Sequence, residues 1–266
     1  MRDIKYTLKI FIIIAILVSG CDKITQVNPN LDYKEYIVVR SELRSGESFS
    51  GVSFTKTLPV DEQYSISKAE LKNVEGYIKV NGIQIVPLHY TMNGIYMPID
   101  RLPIKPDTTY ELFAKIGNTS IYSITRIPER PKILSSNYYN NTYLEATVEA
   151  KSNEVYGAAW SILNDATAPD FQEIVRSETP DFNSVITVRT QDLPDQYKSS
   201  SYTNRRYIKV FAFDVPYQNY FKTRNNNQPL NDAFSQGGDQ VIWNVQGENV
   251  IGMFIGIATG DSVRVQ

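Results

Sequence analysis

Cysteine and histidine are almost absent from this sequence. Cys21 and His89 are the only examples in 266 residues. With no second cysteine, no intramolecular disulfide can form. Zinc sites of the His/Cys type and Cys/His nucleophilic pairs need more of these residues than the chain holds. A serine hydrolase would have to recruit His89 from Pro87-Leu88-His89-Tyr90, and no Gly-x-Ser-x-Gly elbow accompanies it. Phosphate-cradling loops are missing, because Gly237-Gly238 and the Gly256–Gly260 stretch match no such motif. Cationic excess is missing too. A net charge of −2 argues against nucleic acid as a partner. No Asp-x-Asp-x-Asp-Gly loop occurs, and Asn164-Asp165 and Asn231-Asp232 offer oxygen ligands only weakly. Neither a metal nor a cofactor is expected.

The one long apolar run lies near the start. Met1–Lys9 carries three cations and one acid, and Ile10–Val18 follows without a polar residue. A charged segment before an apolar stretch of this length has the form of a secretory signal. The stretch falls short of the roughly 20 apolar residues that span a bilayer core. It ends in Leu17-Val18-Ser19-Gly20-Cys21, which resembles the bacterial lipobox. The resemblance implies cleavage before Cys21 and acylation of its sulfur. Residues 1–20 are therefore expected to be a lipoprotein signal peptide. Residues 21–33 are expected to be the lipid anchor and a polar tether. Two or more acyl chains give stable membrane anchoring, at about 0.8 kcal/mol per buried methylene.

The remainder reads as strands. Tyr36–Leu43 is β-branched, and Val52–Leu58 alternates with period two. Gly76–Val80 and Ile83–Val86 flank Asn81-Gly82, a type I′ hairpin signal. Gly94–Ile99 follows, and then Thr109–Ile116 and Ser120–Ile127 flank Gly117-Asn118. Pro128-Glu129-Arg130-Pro131 has the composition of an extended linker. Beyond it, Tyr143–Ala150 and Val155–Ile162 look like a hairpin. Phe171–Val175, Ser184–Val188 and Tyr207–Phe213 continue the series, and a short helix is expected from Pro216. Val241–Val245 reads as a strand. Val250–Ile257, apolar on both faces, reads as a buried central strand whose glycines admit close backbone approach. Val263–Val265 is placed on an edge. The expected fold is all-β, as two tandem β-sandwich domains. Residues 34–128 would be immunoglobulin-like, and 129–266 fibronectin type III-like with a C-terminal extension.

A family resemblance rests on several segments. These are Cys21, Tyr36-Ile37-Val38-Val39, Gly94-Ile95-Tyr96, Pro106–Leu112, Thr125–Pro128 and Asn249–Gly256. Together they resemble a family of Bacteroidota outer-membrane lipoproteins that carries the label of a domain of unknown function. Asp107 stands where that family more often has glycine. The resemblance implies an outer-membrane location, on the periplasmic or the surface face. It also implies a TonB-dependent receptor, or another outer-membrane protein, as partner. It brings no catalytic residues.

The chain is therefore expected to be a non-enzymatic binding or accessory module, held to a membrane by its N-terminal lipid. Surface adhesion to protein or glycan is the alternative. A glycan-acting hydrolase stands behind both, with Asp165, Asp170, Glu173 and Glu178 as its acids and nothing to pair them. Binding residues are sought among clustered tyrosines in polar loops: Tyr138, Tyr139, Tyr143, Tyr202, Tyr217 and Tyr220. Tyrosine is also an ordinary strand and sandwich-edge residue. Trp160 and Trp243 are assigned to a core.

Overall fold

The computed structural model describes residues 33–164, 175–176, 182, 184–223 and 241–265. Residues 1–20, expected to be a signal peptide, Cys21 and nearly all of the expected tether lie outside the described residues. Glu35–Gln266 forms one compact unit, and it is nearly all β.

The first half begins with β1 (Ile37–Arg44) and β2 (Val52–Lys56), followed by one turn of helix, α1 (Ile66–Ala69). Then come β3 (Glu75–Val80), β4 (Gln84–Met92), β5 (Ile95–Met97), β6 (Thr109–Ile116) and β7 (Thr119–Arg126). The second half holds β8 (Lys132–Tyr139), β9 (Tyr143–Ala150), β10 (Glu154–Ile162), β11 (Val175–Arg176), β12 (Ser184–Asp192) and β13 (Arg206–Asp214). The helix α2 (Pro216–Thr223) and a 15-residue strand, β14 (Val250–Arg264), complete it. Among the described residues, an 11-stranded sheet runs β11-β10-β13-β14-β1-β2-β5-β4-β3-β6-β7. A 3-stranded sheet runs β12-β9-β8.

Turn chemistry explains the hairpins. Asn81 and Gly82 both have positive φ, at 48° and 70°, as a type I′ turn between β3 and β4 requires. Asn93-Gly94 repeats the device between β4 and β5, at 54° and 75°. Asp107 adopts φ 56°, a backbone suited to glycine, which aspartate tolerates better than most residues.

Three strand expectations need correction. β9 and β10 are not a hairpin. β9 pairs with β8 and β12, whereas β10 pairs with β13 and β11. Their connection crosses from one sheet to the other, because β10 is buried on both faces and must be covered from two sides. Val241–Val245 is not a strand, and only the adjoining Gln246 sits in a β-bridge, with Tyr122. Val263 and Arg264 belong to β14 and pair with β13, so they form no separate edge. β8 was hidden by its polar Ser-Ser-Asn sequence.

Three hydrophobic clusters organise the interior. The first lies within the β1–β7 half and includes Val39, Phe54, Ile78, Tyr96, Leu112 and Phe254. Inside it, Tyr96 meets Phe54 edge to face at 5.4 Å. Its hydroxyl donates to the Leu71 carbonyl at 2.8 Å and accepts from the Val74 N–H at 3.0 Å, so a buried phenol is satisfied. The second lies between the two sheets of the other half, with Leu144, Val148, Trp160, Ile208 and Ala258. The third covers the opposite face of β10, β13 and β14, with Phe213, Tyr217, Tyr220 and Ile255. β14 contributes to all three. It pairs in parallel with β1, Val39 opposite Gly252, and antiparallel with β13. A strand from the far end of the chain thus serves the cores on both sides of Pro128.

The halves are also riveted by a buried carboxylate. Asp214 Oδ2 accepts from the Thr125 hydroxyl and the Arg126 N–H, both at 2.8 Å. Thr125 Oγ1 in turn accepts from the Gly256 N–H at 2.8 Å. Burial pushes the Asp214 carboxyl above its ordinary range, and these bonds pull against that shift.

Candidate functional site

An apolar groove lies on the outer face of β4-β3-β6-β7. Strand alternation turns Ile78, Leu112 and Ile121 inward, where they are buried. Their neighbours Tyr77, Phe113 and Tyr122 must therefore point outward. Register does the rest. Pro87, Tyr77, Phe113 and Tyr122 lie opposite one another on four adjacent strands and form one row. Tyr77 and Phe113 have ring centroids 5.0 Å apart and planes 16° apart, and Phe113 and Tyr122 are 4.9 Å and 54° apart. Rings lying flat side by side cannot approach so closely without overlap, so Tyr77 and Phe113 stack and Tyr122 tilts against Phe113. They offer a ridge of ring edges. The row lines a groove of about 700 Å³, with Glu75 and Lys115 on one rim and Gln246-Gly247 as a wall. Ile85, 60% exposed, extends the apolar surface toward the β3–β4 turn. Such a ridge suits apolar side chains better than the flat face of a sugar ring. Sequence reasoning missed this row. Alternation marks each residue as outward-facing, but nothing local says that three strands bring them level.

The tyrosines singled out from sequence divide into two groups. Tyr138 and Tyr139 belong to β8, and Tyr143 opens β9. Tyr139 and Tyr143 stack at 5.2 Å, and the Arg189 guanidinium lies 5.4 Å from the Tyr143 centroid. Arg206 sits 4.1 Å over the Tyr138 ring, and the Tyr138 hydroxyl is buried with no hydrogen-bond partner. Tyr202 meets Tyr197 edge to face at 5.3 Å and carries Arg205 at 5.0 Å. The structure therefore gathers Tyr138, Tyr139, Tyr143 and Tyr202 at one end of the second half, each stacked on a ring or a guanidinium. Tyr217 and Tyr220 are different. They are 2% and 0% exposed, three residues apart on α2, and face β13. Phe213, Tyr217, Tyr220 and Trp243 form a continuous run of rings at 4.6, 5.4 and 5.8 Å. These two tyrosines build the third core and present no binding face.

Of the remaining candidates, His89 is exposed on β4 opposite Met97. Cys21, Asp165, Asp170, Glu173, Glu178, Asn231-Asp232 and Gly237-Gly238 lie outside the described residues. Among the described residues, no three His, Cys, Asp or Glu side chains stand close enough to hold a metal ion. No described helix is long and apolar enough to cross a membrane.

A third locus is a cleft of about 530 Å³ beside the Pro128–Pro131 linker, lined in part by Glu129, Lys151, Glu154 and Tyr156. Lys151 pairs with Glu129 at 2.7 Å, and Arg126 with Asp107 at 2.9 Å. Tyr156 donates its hydroxyl to Glu154 and accepts from the Lys151 N–H at 2.9 Å. Burial pushes the Glu154 carboxyl up, opposed by the Tyr156 hydroxyl and then by Lys151 and Arg126. A carboxyl raised on folding contributes stability that is fully present below its unfolded value, near 4.3. That contribution is lost as pH rises through the raised folded value. Replacing Glu154→Gln is thus expected to raise the melting temperature more at pH 7 than at pH 4. Thermal unfolding across that range checks this, and an equal shift at both ends would contradict it.

No curated protein matches the chain. A family-wide sequence comparison matches residues 24–262 to a domain of unknown function, DUF4249. Covering nearly the whole compact unit from β1 into β14, that match makes the chain a member of the DUF4249 family.

Proposed function

We propose that this chain is a lipid-anchored, non-enzymatic binding module of a Bacteroidota-type outer membrane. Cys21 carries the anchor, and the sandwich halves 34–128 and 129–266, immunoglobulin-like and then fibronectin type III-like, are the working part. Its partner is an outer-membrane protein, a TonB-dependent transporter by the family resemblance. The observation that carries the binding reading is the Tyr77–Phe113–Tyr122 ridge in its solvent-facing groove. Contiguous exposed apolar surface rimmed by charge marks protein contact sites. The anchor reading rests on Leu17–Cys21. The stacked Tyr139–Tyr143 pair with Arg189 favours a second reading, adhesion to protein or glycan at the other end of the unit.

The test is co-purification of the full-length chain, at native expression, from detergent-solubilised membranes. The parent chain is expected to bring a transporter with it, and Cys21→Ser to leave the membrane fraction. Tyr77→Ser with Phe113→Ser is expected to lower recovery about tenfold or more, as loss of aromatic anchors does. Tyr139→Ser is expected to change nothing. An eluate without any transporter would overturn the partner, and retention of Cys21→Ser on membranes would overturn the anchor.

A further inference from the structure

The seam between β7 and β14 is closed by side chains where a strand ladder would be expected. β14 pairs with β1 along Val250–Ile257, and β13 joins it only from Ile257 onward. Over the earlier stretch, its second edge faces β7 and residues 241–247. There the Phe254 N–H donates to Asn244 Oδ1 at 2.9 Å, and Asn244 Nδ2 donates back to the Phe254 carbonyl at 2.6 Å. A side-chain amide stands where a neighbouring strand would place a peptide group. On the other flank, Gln246 and Tyr122 exchange backbone hydrogen bonds at 2.8 and 3.0 Å. The Ser123 hydroxyl donates to the Asn244 carbonyl at 2.8 Å. Between these contacts Val245 inserts its side chain into the first core, at 6% exposure.

Composition and position disagree in this segment. Val241-Ile242-Trp243-Asn244-Val245 has the β-branched and aromatic content of a strand, yet runs as a strap with one bridged residue beside it. Such a local conflict marks a place where the fold holds a segment against its preference. The same strap supplies the Gln246-Gly247 wall of the aromatic groove.

We propose that residues 241–247 act as one latch on that groove. The Asn244 clamp on Phe254 and the Gln246 bridge on Tyr122 open and close together. The reason is Val245, which lies between them. Releasing either contact loosens Val245 in the core, and with it the other contact, while Trp243 packed against Tyr220 holds the far end of the strap. An open latch frees the outer edge of β7 beside the Tyr77–Phe113–Tyr122 row. That is the arrangement for strand addition, in which an extended partner bonds to the edge and sets alternate apolar side chains in the groove. This consequence rests on the groove being the binding surface, whereas the latch itself does not.

Site-resolved amide hydrogen exchange on the full chain, with no partner added, tests the latch. Asn244→Ala removes the clamp and leaves the bridge. Gln246→Pro removes the N–H that donates to Tyr122 and leaves the clamp. Each is expected to speed exchange at both Tyr122 and Phe254 about tenfold or more. Leu112 and Ile208, fully buried in other ladders, should keep their rates. Acceleration confined to Phe254 in the first variant and to Tyr122 in the second would overturn the proposal, as would acceleration at every amide. Asn244→Asp keeps an acceptor for the Phe254 N–H but sets a carboxylate oxygen against the Phe254 carbonyl, so it too must speed Tyr122. Failure to recover a partner would leave these rates untouched, so the latch and the binding reading can fail separately.

Discussion

Replacing Gly252 with alanine is expected to destabilise the chain by more than about 4 kcal/mol, or to prevent folding outright. A Cβ built at Gly252 falls 1.9 Å from the Val39 carbonyl oxygen, and 2.8 Å from the Val39 nitrogen and carbonyl carbon. Those atoms belong to the backbone of the paired strand, so no rotamer change can make room. The residue also has φ 135°, a conformation that side chains resist. Relief would require β1 and β14 to separate, and Val39, Phe254, Met253 and Ile255 all lose their cores when they do. Gly82→Ala is the matched comparison. It sits at φ 70° with nothing near its Cβ, so it carries only the conformational cost, roughly 1 to 2 kcal/mol. Denaturant unfolding of both variants separates close approach from backbone preference. Equal losses would show that β1 and β14 do not approach as described.

The second large effect is expected at Arg206. This arginine is 2% exposed at the start of β13. Its Nε and Nη2 donate to the Tyr197 carbonyl at 3.1 and 2.9 Å, and Nη2 also donates to the Ser199 carbonyl at 2.7 Å. Its plane covers Tyr138 at 4.1 Å. A single side chain thus ties the 3₁₀ turns Asp195–Tyr197 and Ser200–Tyr202 to the sheet and roofs β8. Arg206→Ala removes three charge-assisted bonds and leaves two carbonyls without their donor. The loss is expected at about 3 to 4 kcal/mol. Arg206→Lys is expected to recover little, because one ammonium cannot reproduce the guanidinium fork and its stacking. Tyr197 packs 5.6 Å from Trp160, so tryptophan fluorescence reports the loop directly. An alanine variant with unchanged midpoint and spectrum would refute this role.

Much of this was legible along the chain, and the misses have physical causes. The Asn81-Gly82 turn was readable because only a few residue types accept positive φ, so the dipeptide states its own geometry. The glycines of β14 were readable because a residue without a side chain admits close backbone approach. Tyr217 and Tyr220 were misplaced because helical spacing shows which residues share a face and leaves open whether that face meets solvent or β13. The pairing of β9 with β10 was misplaced because adjacency in sequence favours a hairpin, whereas the exposed faces of two sheets needed covering. The Tyr77–Phe113–Tyr122 row escaped because it exists only once three strands are in register.

Sequence by itself therefore determined most of the strands and their turns, the scarcity of residues for metal, disulfide or thiol chemistry, and the lipobox-like Leu17–Cys21 segment. Each of these follows from local dihedral preference, side-chain alternation or composition, which need no knowledge of distant residues. Tertiary structure alone decided that β14 lies between β1 and β13, and that a side-chain amide closes its seam with β7. It also decided which tyrosines are core and which form a surface. Those outcomes depend on how the whole chain buries its apolar faces at once, and no window of sequence contains both partners.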